Sequence, residues 1–202
     1  MKVLKFKDEA EWLEARRGKI TGSRLKDIVV KRGNGRKIGF YELIAERLGL
    51  PSDGEDAMDR GHRLEEEAID RFEAKSGKKV DRDLVIWTRE DNELIAVSPD
   101  GVIGKGKEAV EAKCLSSARH IEAVITNQVP DEYHYQAIQY FAVNDKLETL
   151  WFCFYDPRLR VHDFHVIEIP REQVAEEVSE LLDYQRKTLE EIERLVDELS
   201  GF

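Results

Sequence analysis

The sequence predicts a mixed α/β (α+β) domain in which a small sheet is flanked by helices. Three observations lead there: helical periodicity through the first 76 residues, a succession of short β-branched and aromatic runs after it, and a long amphipathic stretch at the end. A chain of 202 residues with 41% hydrophobic content suits one domain, 1–202, with a sizeable core.

Residues 8–17 and 23–31 read as short helices separated by the turn Gly18-Lys19-Ile20-Thr21-Gly22. Residues 39–49 read as a third helix stopped by Gly49-Leu50-Pro51, and 57–76 as a fourth ending at Gly77. The pattern then changes to strands at 79–88, 93–98, 108–114, 148–155 and 161–169, with a helix near 131–143 and a loop over 114–132. Val174, Val178, Leu181, Gln185, Thr188, Ile192, Leu195 and Leu199 recur at spacings of four and three, so 171–199 forms an amphipathic helix. Its apolar face packs on the domain's own core or on a second subunit.

The formal charge of −10 argues against a polyanionic partner until its distribution is considered. Residues 1–47 hold 13 Lys/Arg against 7 Asp/Glu, whereas 168–198 hold 4 against 11. The N-terminal part can meet an anion while the tail stays in solvent; two solvated faces are the plainer alternative. There is no run of about 18 apolar residues and no apolar signal-like start, so a soluble, cytoplasmic protein without membrane contact is expected. Cys114 and Cys153 form no CxxC pair and cannot alone supply a four-thiolate cluster or zinc site. No Gly-rich loop ending in Lys-Ser/Thr is present, which argues against an ATP motor. His162 and His165 lie in a strand-like run and read as ordinary sheet residues.

The tripeptide Glu-Ala-Lys occurs twice, at 73–75 and 111–113. An acid two places before a lysine arises by composition roughly three times in such a chain, so the surroundings must decide. Ser98-Pro99-Asp100-Gly101 through Cys114 reads as a hairpin closing on Gly104-Lys105-Gly106-Lys107. Positions summing to 211 then face each other, setting Asp100 opposite Glu111, and directly opposed side chains have Cβ atoms roughly 4.5–5.5 Å apart. Lys113, two residues beyond Glu111, shares its face. Two acids and an amine thus gather on one patch, able to hold a divalent cation or simply to form a surface ion pair. Glu73-Ala74-Lys75 lies near a helix end without an opposed acid and reads as solvated surface.

At about 100° per residue, Gly61, Leu64, Ala68, Ile69 and Phe72 fall in one arc that includes Glu65 and excludes Glu66 and Glu67. A core-facing carboxylate is costly without a cation, so Glu65 is expected to meet the metal or a buried salt-bridge partner. Oxygen donors without thiolate or imidazole suit Mg²⁺ or Mn²⁺. The chemistry described is metal-assisted phosphodiester hydrolysis, with Lys113 orienting water or stabilising transition-state charge.

The ordered series Gly61-x-x-x-Glu65, Ser98-Pro99-Asp100-Gly101, Glu111-Ala112-Lys113-Cys114, Tyr133-x-x-Gln136-x-x-Gln139 and Tyr155-Asp156-Pro157-Arg158 resembles the PD-(D/E)xK nuclease superfamily. Within it, the chain resembles the phage lambda exonuclease or YqaJ-type viral recombinase family over roughly residues 12–170. The resemblance implies a restriction-endonuclease-like core and a Mg²⁺-dependent 5′→3′ exonuclease acting on linear double-stranded DNA. It implies two ions held by Glu65, Asp100 and Glu111, with Mn²⁺ able to substitute, Lys113 as catalytic lysine and Gln136 as support. Pattern alone reads Gln136 equally well as a helix-edge residue.

The segment Trp12 to Ser23 also resembles the family, whose arginine and serine there bind a DNA 5′-phosphate. Arg16, Thr21 and Ser23 are the matching positions, Arg16 fitting better than Arg17. A capped helix beside a guanidinium is a ready anion site on physical grounds, with Ser23 as the cap. A homotrimeric ring around duplex DNA and a single-strand annealing partner are likewise implied. The rival readings are a structure-specific or restriction-like endonuclease and a non-catalytic DNA-end-binding protein.

Overall fold

The computed structural model describes residues 1–29, 40, 43, 46, 59–115, 117–157, 159 and 161–200. Near the N-terminus, α1 spans Glu9–Arg16, because Asp8 caps it by accepting from the Glu11 amide at 2.9 Å and Arg16 sits in its last turn. The helix expected over 23–31 is instead a 3₁₀ turn, Gly22–Arg24, leading into the single α-turn α2, Leu25–Ile28; its remainder lies outside the described residues. So does most of the helix expected over 39–49, of which Phe40, Leu43 and Glu46 are described. α3, Asp59–Ser76, matches the expected fourth helix and stops where Gly77 turns left-handed at φ +70°.

Among the described residues, two small sheets replace the expected single one. β1 (Lys2–Lys5), β2 (Val85–Thr88) and β3 (Ala96–Val97) form an antiparallel sheet in that order. β4 (Gly101–Ile103), β5 (Glu108–Lys113), β6 (Thr149–Tyr155) and β7 (Phe164–Pro170) form the other, parallel between β5 and β6 and antiparallel elsewhere. Between β3 and β4 stands Pro99, which has no amide to extend a ladder. The expected strands at 79–88 and 93–98 are shorter because Asp81 pairs only in an isolated bridge with Val102, and Ile95 only with Ile20.

The parallel pair requires a crossover, supplied by α4 (Ser117–Thr126) and α5 (Asp131–Val143). α4 occupies the stretch expected to be a loop. Its Ile121, Val124, Ile125 and Thr126 lower helix propensity, which hid it from pattern reading. α6, Ala175–Ser200, buries Val178, Leu181, Gln185, Thr188 and Ile192 against the chain's own core, with Leu189 beside them; α5 is its main neighbour. That favours intramolecular packing over the subunit contact for this face, while Leu199 near the end remains 52% exposed.

The hairpin register is as expected. Gly101 pairs with Val110, Val102 with Ala109 and Ile103 with Glu108, each summing to 211. The turn is tight, with Gly104, Lys105 and Gly106 all left-handed at φ +60°, +59° and +87°. At Gly101 the backbone runs so close to Val80 Cγ1 that an added Cβ would overlap it, and Val80 is too stiff at χ1 to yield easily. Gly101→Ala is therefore expected to destabilise the fold by about 1–3 kcal/mol, measured as a lower urea midpoint with unchanged slope.

Candidate active site

Strand alternation turns Glu111 and Lys113 to one side of β5, and the Lys113 ammonium forms an ion pair with Glu111 Oε1. Asp100, just before β4, accepts the Ala112 amide through Oδ2 at 2.8 Å, which draws its carboxylate onto the same patch. Burial raises the pKa of the Asp100 carboxyl well above its ordinary value, and the neighbouring charge of Glu111 raises it further; Lys113 offsets only part of this. Burial alone would lower the Lys113 ammonium, but attraction by Glu111, Asp100 and Glu65 outweighs it and raises its pKa. Glu65 on α3 is half-buried and electrostatically felt by Asp100 and Lys113, while Glu66 and Glu67 are exposed. Glu67 accepts the Tyr155 hydroxyl at 3.0 Å. The expected helical arc around Ala68, Ile69 and Phe72 is buried.

From the other side, α5 brings two donors to Glu111. Gln136 Nε2 donates to Oε1 at 2.5 Å, and the Tyr140 hydroxyl donates to Oε2. Tyr140 is fully buried; burial, followed by Glu111 and Asp100, pushes its pKa well up, so it remains a donor. The sequence pattern gave Tyr140 no part in the site. Its spacing of four from Gln136 puts both on one helix face, a signal that could have found it. Lys113 Nζ also stands 5.7 Å from the Tyr133 ring centroid.

Arg16 lies beside this patch. Its guanidinium donates to Ser23 Oγ at 3.0 Å and stacks 4.3 Å from the Trp12 ring centroid. Burial lowers its pKa, countered by attraction to Asp100 and Glu111, so the cation and the acids share one field. The buried Thr21 completes the group, its Oγ1 lying 3.4 Å from Ser23 Oγ. Arg17 is exposed and faces Glu14 at 3.2 Å. Ser23 does not cap a helix as expected: it lies inside the 3₁₀ turn, whose cap position is Thr21, and its hydroxyl is engaged by Arg16. The group expected to meet an anion is thus a guanidinium with two hydroxyls, not a capped helix end.

Glu73 is more than solvated surface. It accepts the Val80 amide at 2.8 Å and Arg82 at 2.7 Å, fastening the end of α3 to the chain that follows. His165 hydrogen-bonds Asn127 Oδ1 at 3.0 Å, and the backbone oxygen of His162 accepts from His120 at 2.8 Å. Cys114 is half-buried, its thiol pushed up to about 12 by burial and by Glu65. Asp156, from the Tyr155-Asp156-Pro157-Arg158 motif, is buried in the turn between β6 and β7; Arg158 lies outside the described residues. A cavity of about 660 Å³ bordered by Lys105, Lys146 and Arg171 opens at the turn end of the hairpin, away from Glu111.

Among the described residues, no three His, Cys, Asp or Glu side chains converge closely enough to bind an ion as they stand. The donor chemistry nevertheless fits a hard divalent cation. Glu65, Asp100 and Glu111 bring three carboxylates against the ammonium of Lys113; burial first, then the charges of Glu111 and Glu65, raise the Asp100 pKa.

A buried carboxylate–lysine patch carried by a strand hairpin and braced by one helix, with a guanidinium–hydroxyl group at its edge, defines a candidate phosphodiester site. The chain belongs to the YqaJ-like viral recombinase domain family, whose model matches residues 11–147. Its fold is similar to an alkaline exonuclease, LHK-Exo, from Laribacter hongkongensis, at TM-score 0.78 and 27% identity over 96% of this chain and 99% of that one. LHK-Exo in complex with dAMP aligns at TM-score 0.79 and 29% identity, with the same coverage. A phage-related exonuclease from Haemophilus somnus 129PT shares the fold at TM-score 0.61 and 15% identity, covering 90% and 96% of the two chains. No curated protein matches the chain. The mixed α/β, restriction-endonuclease-like class expected from the sequence is the one observed.

Asp100→Asn keeps an acceptor for the Ala112 amide while removing a like charge from Glu111. We expect the melting midpoint in EDTA to rise by about 2–4 °C, the shift that ~1 kcal/mol gives in a chain of this size. Calorimetry at pH 8 measures it; an unchanged midpoint would mean the two carboxylates do not repel.

Proposed function

We propose that the chain, as one nuclease domain over 1–202, is a metal-dependent 5′→3′ exonuclease on linear double-stranded DNA that leaves a 3′ single strand for recombination. The observation that carries this reading is the convergence of Asp100, Glu111 and Lys113 on one buried patch with Arg16 at its edge. Family membership and the likeness to LHK-Exo support it. The relative's complex holds dAMP, a nucleoside monophosphate of the class that DNA hydrolysis releases.

Glu65, Asp100 and Glu111 would hold Mg²⁺, or Mn²⁺ in its place, as two ions by family resemblance. Bound there, such cations would supply Lewis acidity and lower the pKa of a bound water. Lys113 presents its ammonium to the charge that develops on the phosphate. Gln136 and Tyr140 hold the Glu111 carboxylate from behind, so it need not reorganise during the reaction. Arg16, Thr21 and Ser23 grip a terminal 5′-phosphate, Arg16 through its guanidinium. The homotrimeric ring, the annealing partner and a cytoplasmic location rest on the resemblance; light scattering of the purified protein tests the ring. Among the described residues, no helix is long and apolar enough to cross a membrane.

The deciding experiment follows duplexes labelled separately at each 5′ and 3′ end, beside closed circles, with Mg²⁺ or EDTA. Metal-dependent loss from 5′ ends with circles spared is expected. Nicked circles would indicate an endonuclease, and binding without degradation an end-binding protein. Lys113→Ala should preserve fold and DNA binding while lowering turnover about 10²–10³-fold; near-normal turnover would refute its role. For Arg16→Ala, the expected result is a smaller rate preference for 5′-phosphorylated over 5′-hydroxyl ends, with Arg17→Ala unchanged. Calorimetry provides a readout independent of turnover: Mg²⁺ should raise the wild-type midpoint more than that of Asp100→Asn.

A further inference from the structure

Three residues beyond Gln136 on α5, Gln139 is fully buried and does not touch the acid patch. Its Nε2 lies 3.2 Å from the carbonyl oxygen of Ile20, 3.0 Å from that of Ala96 and 2.9 Å from Gln185 Oε1 on α6. Gln185, equally buried, returns a hydrogen bond from Nε2 to Gln139 Oε1 at 2.8 Å. The two main-chain oxygens belong to two different functional segments. Ile20 immediately precedes Thr21, Gly22 and Ser23, and Ala96 starts β3, which leads through Ser98 and Pro99 to Asp100.

These segments are already stitched together, since Ile20 donates to the Leu94 oxygen at 2.8 Å and Ala96 donates to the Ile20 oxygen at 3.0 Å. They also press on α5: a Cβ at Gly22 would stand 3.2 Å from Gln136 Cγ. One helix face therefore holds Glu111 through Gln136 and, one turn on, the Arg16–Ser23 segment and the Asp100 strand through Gln139. The amide pair with Gln185 satisfies the buried Gln139 amide oxygen, and α6 grips the same N-terminal region again where Tyr184 donates to the Ile28 oxygen at 3.1 Å.

We propose that Gln139, through its contacts to the main-chain oxygens of Ile20 and Ala96, is a positioning residue that sets the separation between the end-phosphate group and the carboxylates, and so the register of the terminal phosphate relative to the bond that is cut. A buried polar contact that only filled space would need no main-chain acceptors from both segments. The inference rests on the phosphate-gripping role proposed above for Arg16 and Ser23, so Arg16→Ala is tested alongside it.

Digestion rates with Mg²⁺ on duplexes bearing a 5′-phosphate or a 5′-hydroxyl give a discrimination ratio, read beside melting midpoints. The Gln139→Leu/Gln185→Leu double variant removes both amides together, which costs a core far less than leaving one unpaired. It is expected to melt cooperatively but lose about tenfold in the ratio, a size that a displacement below 1 Å can produce. Gln185→Leu alone keeps the two main-chain contacts of Gln139 and leaves its amide oxygen unpaired; a lower midpoint with an unchanged ratio is expected. Gln139→Met, similar in length but without the donor, carries the same expected loss of ratio and covers failure of the double variant to fold.

A wild-type ratio in the Gln139 variants, with a reduced one in Arg16→Ala, overturns the positioning role and leaves the phosphate site standing. A ratio that falls with the midpoint in Gln185→Leu also overturns it, because discrimination would then merely follow stability. An unchanged ratio in Arg16→Ala removes the phosphate site and this inference with it.

Discussion

A carboxylate with almost no exposed surface needs compensation, and at Glu111 three donors from two elements provide it: Lys113 from the same strand, Gln136 and Tyr140 from α5. Removing the donors would leave a buried charge whose cost is several kcal/mol. Much of the architecture serves this contact. The parallel β5–β6 pair demands a crossover, the crossover contains α5, and α5 must lie across the end of β5 for Gln136 and Tyr140 to reach it. The core beneath, with Ala109, Phe141, Leu150 and Phe152 fully buried, fixes the height of that helix above the sheet.

Glu111 can be held so firmly because its partners are neutral or cationic, whereas Asp100 has a backbone amide from Ala112 and a repelling neighbour. The patch therefore stores unfavourable charge on the side facing Glu65 and Arg16. On the proposed reading, stability is given up where a cation or a phosphate would be received, a familiar trade between folding and function. Gln136 and Gln139 divide the work one helical turn apart. The first meets a carboxylate, the second two main-chain oxygens, and neither substitutes for the other.

What the sequence revealed and what it hid differ in range. The β4–β5 register was legible because alternation and a Gly-Lys-Gly turn are local, and the paired positions sum to 211 as the turn demanded. The inward angle of Glu65 was legible from a single helix. Tyr140 was not, because its donation to Glu111 spans 29 residues and its own surroundings read as plain packing. The Gln139–Gln185 pair spans 46. β1 was invisible for a related reason: all four residues are exposed and its partner, β2, begins at Val85. Ser23 was misassigned because a Ser before an apolar run signals a cap in many chains, and only the tertiary position of Arg16 shows where its hydroxyl goes.

The charge distribution constrains how DNA can be met. The basic excess of residues 1–47 is partly neutralised by acids that follow it in the chain: Lys2 is paired with Glu93 and Lys5 with Asp83. Arg16 keeps its guanidinium beside hydroxyls and an aromatic ring, with carboxylates in its field instead of in direct contact among the described residues. A chain at −10, with several of its described N-terminal basic groups so engaged, offers little long-range attraction to a duplex. On the proposed reading, recognition by this surface comes from short-range, geometrically specific contacts to one phosphate, strengthened once cations offset the acids. Such contacts release few counterions, so affinity for ends should depend on salt less steeply than in a protein that tracks many phosphates.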